Sequence, residues 1–133
     1  MVDTRVTYEG GLRCRSEHDA SGTNVLSDAS KDLGGRGEHA SPSDLLAMSL
    51  GGCILSIMAI AAQAIDRDLA GATAVVTKEM ADAPRRIARM AVTVRVPGAF
   101  DPRQRTRLEA AAHACPVHNA LAIPVPIAFE WLG

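Results

Sequence analysis

Aromatic side chains are almost missing from this chain of 133 residues: Tyr8, Phe100, Phe129 and Trp131 are all of them, 3% of the sequence. Base stacking and aromatic cages for cationic ligands therefore lack their material. The interior falls to Ala, Val, Ile, Leu and Met, in a chain that is 47% hydrophobic. Charge of one sign is missing too, because 14 basic residues oppose 15 acidic ones for a net charge of −1. No field gathers phosphates, so nucleic acid is excluded as a partner. Cysteine is scarce and odd in number, with Cys14, Cys53 and Cys115 alone, and the polar N-terminus MVDTRVTYEG carries no apolar signal segment. These features predict reduced thiols in the cytoplasm rather than a disulfide scaffold.

One long hydrophobic run is present. From residue 45 to residue 65 there is no charged side chain, which is length enough to cross a bilayer. Ser49, Gly51, Gly52, Ser56 and Gln63 interrupt it, many of its apolar members are Ala, and neither end carries a basic cluster or an aromatic belt. The run therefore predicts a helix buried at the centre of a small domain, not a membrane span.

The rest of the chain divides readily. Residues 4–8 and 12–18 are strand-prone, with turns at Gly10-Gly11 and at residues 19–24, and predict an antiparallel meander. Residues 27–39 form a polar loop with Asp28, Gly34, Gly35 and Gly37. Ser41-Pro42-Ser43-Asp44 places a hydroxyl cap, a proline and a returning acid at the start of the long helix, the pattern of a capping box. Residues 74–79 and 87–96 predict a second hairpin. Asp101-Pro102-Arg103-Gln104 repeats the capping pattern for a second helix that ends near Cys115-Pro116. Residues 123–131, interrupted by Pro124 and Pro126, predict an edge strand. The order βββ-α-ββ-α-β makes one α+β domain over residues 1–133.

Two cysteines invite chemistry. Cys53 sits in the middle of the long helix behind two glycines; packing alone accounts for a cysteine there, and an apolar mid-helix site gives a thiolate no help. Reactivity at Cys53 calls for a cation, for which Arg36, Arg13 and Arg15 are the candidates. Cys115 follows one helix and precedes Pro116, so it can cap a further turn through Leu121; that position, with His118 three residues on, predicts a lowered thiol pKa. Alternation along the second strand turns Cys14 inward and Arg13 and Arg15 outward. Zinc through Cys115, His118, His113 and Cys14 is argued against by the absence of a second paired half-motif. No cofactor is implied.

The segments LGGRGEHASPSDLLAMSLGGC, ending at Cys53, and AAHACPVHNAL, around Cys115, resemble the OsmC/Ohr family of osmotically inducible and organic hydroperoxide resistance proteins. The resemblance spans almost the whole chain. It implies an OsmC-like fold in a cytoplasmic, intertwined homodimer with the long helix buried. It also implies reduction of organic hydroperoxides by a peroxidatic Cys53 and a resolving Cys115, followed by reset by a dithiol, in the family a lipoylated protein. In the peroxidase branches an arginine and an orienting acid hold the thiolate, and here the corresponding candidates are Arg36 and Asp44. The chain departs from those branches at Ser43, where they carry Glu. Asp44 instead matches a Pro-x-acid-Leu-Leu branch, and nine helical residues, about 900° of turn, set it on the side opposite Cys53. A non-catalytic module that binds a small molecule or senses oxidants is the alternative.

Overall fold

The computed structural model describes residues 1–133. They form two compact units, Met1–Leu46 and Ala47–Gly133.

The first unit holds three antiparallel strands, β1 (Thr4–Gly10), β2 (Arg13–His18) and β3 (Asn24–Asp28), in the order β1-β2-β3. This is the meander read from the turn residues. The register pairs Arg13 with Asp28 and sets Cys14 between Tyr8 and Ser27. Asp28 is the last residue of β3 and not part of the polar loop. The alternation read along β2 does not hold, because every one of its residues is half-buried. Arg13 in particular turns into a buried ion pair, since an acid stands directly across the strand from it. After a single 3-10 turn at Lys31–Leu33 the loop reaches helix α1 (Pro42–Gln63). Its cap forms as the sequence predicts: the Ser41 N–H donates to Asp44 Oδ2 at 3.0 Å and the Asp44 N–H donates to Ser41 Oγ at 3.1 Å.

The second unit carries most of α1, then β4 (Thr73–Ala81), β5 (Arg86–Val96), α2 (Pro102–His113), a short α3 (Pro116–Ala120) and β6 (Ile127–Trp131). Its sheet has the order β4-β5-β6, with β4 and β5 antiparallel and β6 parallel to β5 at the edge. The prolines before β6 fit that edge. They lack an N–H, yet their carbonyls still accept, Pro124 from the Met90 N–H at 3.1 Å and Pro126 from the Val92 N–H at 2.9 Å. Period-two alternation on β5 buries Met90, Val92, Val94 and Val96. From the helices, Leu50, Ile54, Met58, Leu108 and Ala112 complete the core, each large aliphatic side chain contributing about 1.5–3 kcal/mol by leaving water. Asp101 and Gln104 close a reciprocal capping box at the start of α2.

α1 departs from the sequence expectation in one respect. Its mean hydropathy of 2.2 suits a fully covered helix, but only 33% of its most apolar stretch is buried within the chain. Ala47, Leu50, Gly51, Ile54, Met58 and Ala62 face inward, while Met48, Gly52, Ser56 and Ile60 are exposed at a spacing of one turn. Within the second unit its inward face rests on β4, and one sheet covers one face of a helix.

Candidate functional site

Cys53 stands on α1 immediately after the two glycines, and the two glycines differ. A Cβ on Gly51 would lie 3.2 Å from Cγ2 of Val76 and 3.7 Å from Cβ of Ala74, so α1 rests on β4 at this point through bare backbone. A Cβ on Gly52 would meet nothing within 4 Å. The next residue, Cys53, is half-buried, with a free thiol.

Cys115 comes from the short link between α2 and α3. Pro116 at the first helical position, together with the end of α2 at His113, forces a break there, and Cys115 becomes the N-cap of α3. Its Sγ accepts the His118 N–H at 3.4 Å. The residue is fully buried, and its thiol lies near that of Cys53. Two thiols far apart in sequence thus meet in one site.

Burial, and then the neighbouring Cys53 thiol, push the Cys115 thiol above its ordinary pKa, while the N–H groups of His118 and Val117 pull the other way. This corrects the expectation of a lowered value. The capping N–H groups are present as expected, but they are outweighed by the loss of water around a fully buried sulfur and by the neighbouring sulfur. Cys115 therefore keeps its proton at neutral pH, and Cys53 is the sulfur open to an incoming molecule. The His118 ring faces that of His113 at 6.0 Å between centroids, and Phe129 lies 6.2 Å from His113. Nδ1 of His118 is buried with no hydrogen-bond partner.

The other two candidates from the sequence lie in the first unit. Arg36 spreads its guanidinium over Gly11, where a Cβ would sit 2.6 Å from Nη2. Asp44 engages the helix cap through Oδ2. What the sequence reading missed is a buried ionic cluster in that same unit. Asp28, with its side chain wholly buried, accepts from Arg13 Nε at 2.7 Å and Nη2 at 2.9 Å, from the Glu38 N–H at 3.2 Å and from the His39 N–H at 3.0 Å. His39 Nδ1 is 3.1 Å from the same carboxylate. Arg13, followed by His39, holds the Asp28 carboxyl far below the usual carboxylate range against the opposing effect of burial. The cluster ties residues 38 and 39 of the polar loop to the meander. A signal for it was present, since a turn centred on Ala20 and Ser21 sets Arg13 opposite Asp28. No group of three or more His, Cys, Asp or Glu side chains is arranged to hold a metal ion.

The site is thus a sheet-backed helix whose mid-point thiol lies beside a second thiol from a helix cap. The chain belongs to the OsmC family: residues 35–130 match the family described as OsmC-like protein. Among solved structures it is similar to a protein from Psychrobacter arcticus 273-4 described as osmotic stress induced and part of a detoxification response, with 35% identity, 98% of this chain and 96% of that one covered, and a TM-score of 0.91. An organic hydroperoxide resistance protein OsmC from Legionella pneumophila shares the fold at 19% identity, with 98% and 96% covered and a TM-score of 0.71. An OsmC-like protein from Mycoplasma pneumoniae does so at 13% identity, with 100% and 98% covered and a TM-score of 0.84. No curated protein sequence matches the chain.

Proposed function

We propose that this protein is a thiol-dependent peroxidase for organic hydroperoxides, with Cys53 as the attacking thiol and Cys115 as the resolving one. The observation that carries this reading is the proximity of the two thiols, close enough for Cys53 to act on the Cys115 sulfur. The Cys53 thiolate attacks the outer peroxide oxygen, the O–O bond breaks, and an alcohol leaves. Cys53 is then a sulfenic acid. Cys115 attacks that sulfur, the S–O bond breaks, water leaves, and a disulfide joins the two residues. A dithiol, in our reading a lipoylated protein, restores both thiols by exchange.

The division of labour follows from burial. A peroxide reaches the half-buried Cys53, whereas the fully buried Cys115 is reserved for the sulfur beside it. The uncharged surface of α1 around Cys53 favours alkyl over hydrogen peroxide, each buried methylene adding about 0.8 kcal/mol. The chemistry needs a compartment that keeps thiols reduced, and we place the protein in the cytoplasm. We assign the exposed apolar stripe of α1 to a second copy of the chain, as an intertwined homodimer. A helix of hydropathy 2.2 that is one-third buried alone needs such a partner.

The test is intact-mass spectrometry of the reduced protein before and after one equivalent of cumene hydroperoxide, followed by peptide mapping. Loss of two hydrogens with a Cys53–Cys115 crosslink is the expected result. Two free thiols, or oxidation no faster than that of a free cysteine, overturn the reading in favour of a ligand-binding or oxidant-sensing module.

A further inference from the structure

The second unit holds a cavity to which the thiol chemistry gives no task. Its volume is about 600 Å³, inside the range of roughly 300–1,000 Å³ that small-molecule sites occupy. One wall is a stripe of α2 made of Arg103, Thr106, Arg107 and Ala110, at the three- and four-residue spacing that puts side chains on one face of a helix. Ile65, just past the end of α1, forms the opposite wall. From Cys53 to the end of α1 at Gln63 is about 15 Å along the helix axis, so this cavity is separate from the two thiols.

The charges on its wall are unanswered. Elsewhere in the second unit Arg67, Arg86, Arg89, Arg95 and Arg105 each donate to an oxygen of the chain, and Arg85 is engaged as well. Arg103 and Arg107 are the arginines of this unit that make neither a hydrogen bond nor an ion pair, and both are exposed. No acid stands three or four residues from either of them along α2; each has the other there instead, a like-charge pair that repels. The remaining polar lining is already spent. The Thr106 hydroxyl donates to the Pro102 carbonyl at 2.9 Å. At the cap end of the cavity, Asp101 Oδ1 accepts the Gln104 N–H at 2.8 Å, and Gln104 Oε1 accepts from the Asp101 N–H and from Arg67 Nη1, both at 3.1 Å. The Asp101 carboxylate turns an anion away from that end and toward Arg107.

We propose that this cavity is a binding site for an aliphatic carboxylate, with the carboxylate held between the guanidinium groups of Arg103 and Arg107 and the hydrocarbon tail laid against Ile65 and Ala110. The site is independent of the peroxidase reading. A planar guanidinium fork matches the two oxygens of a carboxylate, and an anion between two like charges removes their repulsion. The tail is called for by the rest of the lining. Ile65, Ala110 and a threonine whose hydroxyl is already bonded offer apolar contact and little to a polar body. A small inorganic anion would satisfy the arginines and leave that wall uncovered, and a neutral hydrocarbon would cover the wall and leave the arginines unpaired.

The experiment is isothermal titration calorimetry of the reduced protein with dodecanoate, kept below its micelle concentration, for the wild type, Arg103→Gln, Arg107→Gln, the double variant and Ala110→Trp, which fills the cavity. Acetate, inorganic phosphate and dodecanol are titrated in parallel, as charge without tail and tail without charge. The expected result is one dodecanoate per chain, an affinity at least about tenfold lower in each arginine variant, as for loss of a charge-assisted hydrogen bond, and no binding in Ala110→Trp. Acetate, phosphate and dodecanol should each bind at least about tenfold more weakly than dodecanoate. Absence of saturable dodecanoate binding overturns the proposal. Binding that is unchanged in the arginine variants places the amphiphile elsewhere, on the exposed stripe of α1, and overturns it too, as does phosphate or dodecanol binding as tightly as dodecanoate. Far-UV circular dichroism checks that each variant is folded, and if Ala110→Trp is not, the exposed arginine variants carry the comparison. Cumene hydroperoxide turnover, measured on the same samples, tests the peroxidase reading separately.

Discussion

Gly51 of α1 lies against Val76 of β4 so closely that a methyl group on the glycine would come within 3.2 Å of the valine Cγ2. Two residues further along the helix is Cys53. The depth at which α1 rests on its sheet is set there, and with it the position of the thiol that meets Cys115.

Filling that contact should therefore disturb stability and chemistry together. Gly51→Val forces α1 off β4, and overpacking of this kind costs about 1–3 kcal/mol. The neighbouring Gly52→Ala, which meets nothing within 4 Å in the chain, gains helix propensity of about 1 kcal/mol. Denaturant unfolding of the two variants should show opposite signs, and Gly51→Val should form the Cys53–Cys115 disulfide more slowly. Equal stabilities would show that the close approach is not a determinant of the fold.

The two cysteines should fail differently. Cys53→Ser abolishes turnover of cumene hydroperoxide. Cys115→Ser still consumes one equivalent and stops at a sulfenic acid that dimedone traps. Equal residual activity in both variants would contradict the division of roles argued from their burial.

Substrate preference provides a separate measurement. The ratio of kcat/KM for cumene hydroperoxide over hydrogen peroxide should exceed about tenfold, the equivalent of roughly two buried methylenes. A ratio near one removes the argument from the apolar surface of α1.

The Arg13–Asp28 pair predicts a pH signature. Asp28 has a folded-state pKa depressed below its unfolded value, so its contribution to stability is fully present above about pH 4, near the usual carboxylate value, and is lost as pH falls below it. Thermal unfolding from pH 7 to pH 2 should show this acid loss in the wild type and lose part of it in Asp28→Asn. At pH 7, Asp28→Asn should cost more than breaking the exposed Arg89–Glu79 pair, whose kind is worth about 0–1 kcal/mol. The reason is that the substitution leaves a mostly buried guanidinium without its carboxylate. Identical melting profiles would mean that the cluster holds nothing.

The exposed stripe of α1 predicts the oligomeric state. Sedimentation should find a dimer without detergent, and Met48→Glu with Ile60→Glu should shift it toward monomer, since both side chains are 61–62% exposed in the single chain. A wild-type monomer, or a protein recovered only in detergent, would refute the assignment of that stripe to a second copy.

Local chemistry was legible in the sequence wherever neighbours along the chain decide the outcome. Capping boxes at Ser41–Asp44 and Asp101–Gln104, the turns of the meander, the period-two strand β5 and the proline-marked edge β6 all depend on residues a few positions apart. The order βββ-α-ββ-α-β followed from them, and the resemblance of two segments selected Cys53 and Cys115. The short helix α3 was foreshadowed by the same Cys-Pro signal that placed Cys115 at a cap.

Tertiary structure decided what depends on partners distant in sequence. Whether Cys115 is acidified by its cap or pushed up by burial is a competition between two N–H groups and the loss of all surrounding water, and only packing fixes the second quantity. Whether Arg13 faces solvent or Asp28 depends on cross-strand register, which alternation within one strand does not contain. The orphaned Nδ1 of His118 and the uncovered face of α1 are likewise facts about what surrounds a residue. A sequence specifies which groups a chain carries and which local geometry each prefers; desolvation and contact are properties of the folded volume, and they exist only once that volume has formed.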